Sequence, residues 1–214
     1  MKNTTRIITQ YAVYAALIFT ARMMDHIVSG WLPINFAVIT QVVAFTCALI
    51  IPTWKNCLAV GIIFGVTSLI TSLMFGGGAV VYGMVNPLIS VLPRAIVGLG
   101  LFGAYALTAF ILAKFTQKEI VTTFTASCVA SLVGAIVNTV VVLTMIHIFK
   151  TVQGMESVLA IFGINALLEW VLTPVLTPFV VIGVRRGLGK RLDSLYNPTG
   201  SHKSDSEEQG GEDK

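Results

Sequence analysis

The stretch "NPLISVLPRAIVGLG", residues 86–100, places an asparagine, two prolines and an arginine inside an otherwise apolar run. Asn86 followed by Pro87 is a helix-start signal. An asparagine side chain accepts a hydrogen bond from the first free amides, and proline at the first helical position has no N–H to leave unsatisfied. Downstream, Gly98, Gly100 and Gly103 of "GLGLFG" match the spacing of a dinucleotide-binding turn. That turn needs a strand before it and an acidic residue about 20 positions later. Here the glycines follow Pro93 and Arg94 inside a long apolar segment, so they read as helix-packing positions. The decision between a nucleotide loop and a membrane helix is made by what surrounds this stretch.

The chain has 214 residues, 55% of them hydrophobic and 11% charged. Soluble domains carry about 25% charged residues, and a soluble chain this apolar could not cover its own surface. Six apolar runs fall at about 7–27, 34–51, 56–75, 87–113, 121–148 and 157–184, each long enough to cross about 30 Å of hydrocarbon. Backbone groups in lipid must be satisfied within the segment, which makes these runs helices. The short alternating segments of a membrane barrel are absent. The expected fold is all-α: an integral membrane bundle of six transmembrane helices over residues 1–196, followed by an acidic tail over 197–214. The tail segment "SHKSDSEEQGGEDK" sets five acids against two lysines, and such polar material buries no core, so it is expected to be disordered. Lys2 and Arg6 precede the first run, as in a signal peptide. That run continues to Arg22 and Asp25 without a small-residue cleavage pattern, so it reads as a retained helix.

Lysine and arginine near helix ends set orientation. With six spans both termini share one side, and that side collects Lys2, Arg6, Lys55, Lys114, Lys118, Arg185, Arg186, Lys190 and Arg191 against Arg22, Arg94 and Lys150 opposite. Both termini are therefore expected in the cytoplasm, with "RRGLGKR" as an anchor at anionic headgroups. Cys47, Cys57 and Cys128 have neither metal-ligand nor disulfide spacing and read as small core residues. No metal or other cofactor is implied. Ala12 and Ala16 form A-x-x-x-A and Gly61 and Gly65 form G-x-x-x-G. Small residues at this spacing let helix backbones approach, either within the bundle or against another membrane protein.

Position along a helix converts to depth at about 1.5 Å per residue. On that scale Arg94 lies about 10 Å below the outer end, Gln41 about 9 Å, Asn165 about 12 Å, Asn138 about 15 Å and Glu169 about 18 Å. Polar residues from four spans thus share one band, and charged groups at such depth face a bundle interior or a wet cavity. Pro93 frees the carbonyl of Ile89 beside Ser90, and the positive end of the fourth helix lies close by. This arrangement suits an anionic group. It also suits an internal ion pair between Arg94 and Glu169. Asn165 and Glu169 share a helix face, and Trp170 either walls the site or fills core. Tyr82 and the preceding "GGG" form a candidate lid or a plain connection. Arg22, Asp25, His26 and His147 read as interfacial residues near helix ends.

The six-helix body over about 7–190 resembles the S component of an energy-coupling factor (ECF) vitamin transporter. The residues that carry the resemblance are Ala12 and Ala16 on the first helix, the long connection between the third and fourth, and "NPLISVLPRAIVGL" entering the fourth. The likeness is greatest to the pantothenate-type branch, with the riboflavin and folate types close by. It implies a multi-pass protein of a prokaryotic cell membrane that captures a vitamin from outside. It implies docking through Ala12 and Ala16 onto a membrane T component that carries two cytoplasmic ATPases, and toppling in the bilayer to deliver the vitamin inward. The substrate site it implies matches Asn86, Arg94, Asn138 and Asn165, beside Tyr82, Ser90, Gln41, Glu169 and Trp170 of the polar band. One carboxylate, an amide and hydroxyls on pantothenate complement a deep cation with several amides. No Walker A pattern is present, so the chain depends on partners for ATP, and no hydrolase or zinc-protease motif is present, so no enzyme is expected. Nucleic acid is not an expected partner. A self-sufficient secondary transporter is the competing class, although the inverted repeats frequent there are not visible.

Overall fold

The polar breaks between the apolar runs divide the chain into six helices. The computed structural model describes residues 2–31, 37–75, 85–115, 118–149 and 155–188; Tyr82, the "GGG" segment and the tail lie outside them. The helices are α1 Lys2–Trp31, α2 Val38–Ile50, α3 Trp54–Phe75, α4 Pro87–Ala113, α5 Glu119–Ile148 and α6 Met155–Gly187, with no strand among the described residues. Five segments are long and apolar enough to cross a membrane: Ile7–Ser29 within α1, α3, α4, α5, and Asn165–Gly187 within α6.

The second helix departs from expectation. The apolar run over 34–51 predicts an 18-residue span, yet α2 has 13 residues, or about 20 Å of helix. It is also the most enclosed element, with almost every side chain from Val38 to Ile50 buried. A short helix inside an apolar bundle has a specific problem. Its first amides and last carbonyls have no helical partners, and apolar surroundings offer none. Other helices supply them. At the N-terminus Asp25 of α1 accepts from Ile39 N at 3.1 Å, Thr40 N at 2.8 Å and Thr40 Oγ1. At the C-terminus Asn56 Nδ2 of α3 donates to the carbonyls of Cys47, Ala48 and Ile51 at 3.0–3.2 Å. Arg185 of α6 donates to the Leu49 carbonyl. An acid at the positive end and a cation at the negative end both match the helix dipole.

Contacts fix the relative directions. Gly61 faces Arg94 and Gly65 faces Val91, while Gly98 faces Cys57, so α3 and α4 run antiparallel. Thr139 meets Trp170 and Phe124 meets Phe179, so α5 and α6 do too. Gln41 meets Thr173 and Leu49 meets Arg185, so α2 and α6 run parallel. One end of the bundle therefore carries Asn86 and His147, and the other carries Asn56 and Arg185.

The α3–α4 contact shows what the glycines do. A Cβ on Gly98 would collide with the Cys57 carbonyl oxygen, one on Gly61 with the Arg94 carbonyl oxygen, and one on Gly65 would lie 2.6 Å from Val91 Cα. The G-x-x-x-G pair is thus an intramolecular seam that brings two backbones together, as small residues permit. Gly98 completes it, and its dinucleotide-like spacing is incidental. Ala12 and Ala16 behave differently. The buried row on α1 is Tyr14, Ile18, Ala21 and Asp25, at helical spacing, and the two alanines lie exposed on the opposite face. The cysteines are free; Cys47 and Cys57 are buried and join the main apolar core with Phe45, Leu49, Val97 and Leu101.

Candidate binding site at the Arg94 end

The site starts from the way α4 begins. Asn86 is the N-cap, its side chain accepts from Leu88 N at 3.0 Å, and Pro87 follows at the first helical position. The helix continues through Pro93, and Arg94 comes directly after it. The Arg94 side chain is 5% exposed. Its Nη1 donates to the Ser90 carbonyl at 2.6 Å, and its guanidinium carbon lies 5.2 Å from the centre of the Phe64 ring, in cation–π range. Ser90 is engaged on both sides, since its hydroxyl donates to the Gly65 carbonyl at 3.4 Å. Arg94 is thus held inside the bundle, braced by its own helix and by an aromatic face of α3.

Three further helices bring polar groups to this arginine. Glu169 on α6 lies within electrostatic range of Arg94, Arg22 and Asp25, and its carboxylate faces the side-chain amide of Gln41. Arg22 lies within range of Asp25, Glu169 and Arg94. Gln41 is 2% exposed and accepts from Thr173 Oγ1 at 3.3 Å, while its Nε2 forms no full hydrogen bond. Arg22 and Asp25 were expected at the membrane interface. Asp25 is instead 1% exposed, and both belong to the buried cluster. His26 and His147 do lie on the exposed surface, with His26 resting on Phe75 at 4.4 Å between ring centres.

The remaining amides flank this cluster. Asn165 is 9% exposed, Asn138 is half-buried, and in both the Oδ1 has no hydrogen-bond partner. Trp170 is half-buried and donates from Nε1 to Thr139 Oγ1 at 3.4 Å, which ties α6 to α5. Buried polar atoms without partners are uncommon in folded proteins, because each leaves its desolvation uncompensated. Such atoms are not confined to this end, since Asn56 Oδ1 and Arg185 Nε at the other end also have no partner. Of the sequence candidates, the structure brings Arg94, Gln41 and Glu169 together. It commits the Asn86 side chain to the α4 cap and turns the Ser90 hydroxyl toward α3. Tyr82 lies outside the described residues.

The other end of the bundle holds a second buried arginine with a different character. Arg185, expected as a headgroup anchor, is 2% exposed. Its Nη1 donates to Tyr105 Oη at 3.3 Å and its Nη2 to the Leu49 carbonyl, and its guanidinium carbon is 5.7 Å from the Tyr105 ring centre. Only Arg186 of the pair stays exposed. Pro174 and Pro178 fall toward this end of α6, and the helix runs through both. No family model matches the chain, and no curated protein matches it.

Proposed function

We propose that the chain is the substrate-binding S component of an energy-coupling factor importer, taking pantothenate from outside a prokaryotic cell. In this reading six helices traverse the cell membrane with both termini in the cytoplasm, α2 being the short central one, and the Arg94 end faces outward. The observation that carries the reading is the burial of Arg94 at 5% exposure among polar groups from α1, α2 and α6. A cation in a membrane helix is costly and marks a functional site by default. Carboxylate recognition by a guanidinium supplies charge-assisted hydrogen bonds, and the flanking amides suit the amide and hydroxyls of the same ligand. The exposed Ala12 and Ala16, opposite the buried face of α1, supply a smooth surface for the T component.

The test is purification of the chain with its natural partners, then uptake in vesicles with and without ATP. Co-isolation with a T component and two ATPases, with uptake strictly dependent on ATP, is expected. Replacing Ala12 or Ala16 by leucine leaves binding intact and abolishes uptake. Robust uptake by the chain alone without ATP would overturn this reading in favour of a self-sufficient secondary transporter. Tight binding of riboflavin or folate in place of pantothenate keeps the S-component role and changes the vitamin.

A further inference from the structure

We propose that a water-filled recess opens at the Arg185 end of the bundle, beneath the turn between α2 and α3, and reaches well inside the membrane. It rests on the helices lying in a bilayer and not on the identity of any ligand. The argument begins with where each helix stops. α2 ends at Ile50 and α3 starts at Trp54, so the turn between them lies at one level. Contacts with the neighbouring helices fix that level. Cys57 of α3 meets Gly98 of α4, which puts Trp54, three residues earlier, beside Leu101. α4 continues to Ala113, about 18 Å past that point. Phe45 of α2 meets Gly134 of α5, which puts Ile50 near Val129. α5 begins at Glu119, about 15 Å beyond. Asp25 of α1 meets Ile39 and Thr40, which puts Ile50 beside Tyr14. α1 begins at Lys2, again about 18 Å beyond. Three helices thus overrun the turn by a similar length. Burial agrees, since no residue described before Tyr14 on α1 is buried.

The overrunning segments are apolar on the outside. Ile7 and Ile8 of α1, Leu107 and Phe110 of α4, and Ile120 and Val121 of α5 are all exposed. α4 and α5 are apolar enough over their whole lengths to lie in hydrocarbon. The turn has a different character. Thr53 and Lys55 are exposed, and the Lys55 ammonium stands 5.6 Å from the centre of the Trp54 ring. Near the same level on α1, Gln10 Nε2 donates to Tyr14 Oη at 2.9 Å. An ammonium and several polar groups therefore lie at a depth where hydrocarbon surrounds the bundle. The lysine stem is shorter than the overhang, so snorkelling alone does not carry its charge to the membrane surface. Charged groups at such depth face a water-filled cavity. Water reaches this one from the Arg185 end, with α1 on one side and α4 and α5 on the other. The recess also shortens the way to the Arg94 level. Gly61, eight residues after Thr53, faces Arg94, so only about 12 Å of packed helix separates the two levels.

The experiment reads water directly. Single substitutions Thr53→Cys, Lys55→Cys, Leu107→Cys and Lys114→Cys are placed in a full chain carrying Cys128→Ala, which leaves only the buried Cys47 and Cys57 of the native thiols. Each variant is reconstituted into phospholipid vesicles and treated from outside with a membrane-impermeant, positively charged methanethiosulfonate. Melting in detergent confirms that each is folded. Lys114→Cys marks the helix end and sets the fraction of chains within reach of the reagent. Leu107→Cys marks the lipid face, and it lies between the turn and Lys114 along the bundle. Thr53→Cys and Lys55→Cys should react within about tenfold of the Lys114→Cys rate, and Leu107→Cys at least about a hundredfold more slowly, because modification follows the exposed thiolate. Fast reaction at either turn position with a slow Leu107→Cys supports the recess, so Thr53→Cys alone suffices should Lys55→Cys not fold. Two turn positions as slow as Leu107→Cys overturn it, since the turn is then dry. A fast Leu107→Cys also overturns it, since the bilayer surface then lies at the turn and the α4–α5 hairpin stands outside the membrane. Ligand binding at the Arg94 end is measured separately, and none of these outcomes decides it.

Discussion

The two ends of this bundle each bury an arginine, and they use it in opposite ways. Arg185 donates to the Leu49 carbonyl of α2 and to Tyr105, next to Asn56, which closes the carbonyls of Cys47, Ala48 and Ile51. Its charge sits where the helix dipole is negative, although Arg185 Nε donates no hydrogen bond and the Asn56 Oδ1 beside it accepts none. Arg94 sits with a second arginine, Arg22, and with amides whose buried atoms lack partners. The comparison separates burial from function. Arg185 serves a helix end, and Arg94, under the proposed function, is the cation that meets the ligand.

The largest expected effect comes from removing each cation in turn. Arg94→Ala should weaken a carboxylate ligand by about 2–5 kcal/mol, the range for losing a buried charge partner, while the chain stays folded. Arg185→Ala should leave affinity unchanged. It should instead destabilise the bundle by about 1–3 kcal/mol for each acceptor left stranded. Calorimetry and melting in detergent read the two quantities separately. If Arg185→Ala weakens binding as much as Arg94→Ala does, the ends are not distinct.

A second test acts on the backbone that carries Arg94. A methyl group on Gly61 of α3 meets the Arg94 carbonyl oxygen, whereas nothing lies within 4 Å of a Cβ on Gly103 of α4. Gly61→Ala should cost about 1–3 kcal/mol of stability through overpacking and weaken the ligand by displacing Arg94. Gly103→Ala should be neutral or slightly stabilising by helix propensity. A harmless Gly61→Ala would mean that the α3–α4 seam has slack and does not fix the arginine. Between these in character is Asp25→Ala, which removes the cap of α2 at about 0.5–2 kcal/mol. It also changes the charge around Arg22, so stability and ligand affinity should both move.

Much of this was legible residue by residue. The helix start at Asn86–Pro87 and the glycine seam follow from local rules that need no tertiary knowledge. Counting along the helices puts Arg94, Gln41 and Glu169 at similar levels, and the structure brings the three together. The length of α2 was not legible, because its apolar run has no internal stop. Its ends are set by Asp25 and Asn56, partners on other helices, the first of them 14 or 15 positions away in sequence. Asp25 and Arg185 were assigned to interfaces because they lie near helix ends. Each nevertheless continues a buried row: Tyr14, Ile18, Ala21, Asp25 on α1, and Thr173, Thr177, Val181, Arg185 on α6. Periodicity carried through to the last turn is the signal that finds them, since a charged residue on the core stripe is buried even when its depth looks interfacial.

The smallest effect gives the sharpest comparison, because it tests one aromatic at each end with the same kind of change. Trp170 donates to Thr139 Oγ1 at 3.4 Å and Tyr105 meets Arg185 at 3.3 Å. Both bonds are long, so Trp170→Phe and Tyr105→Phe should each cost only about 0.5–1.5 kcal/mol of stability. Their effects on the ligand should differ. Trp170 follows Glu169 on α6 and ties that helix to α5, so under the proposed function loosening it should lower affinity about threefold to tenfold. Tyr105 packs in the main apolar core and meets the arginine that caps α2, and its variant should bind the ligand as the native chain does. Equal affinities in the two variants would place Trp170 in the core, as a strut between α5 and α6, and would move the boundary of the site away from α6.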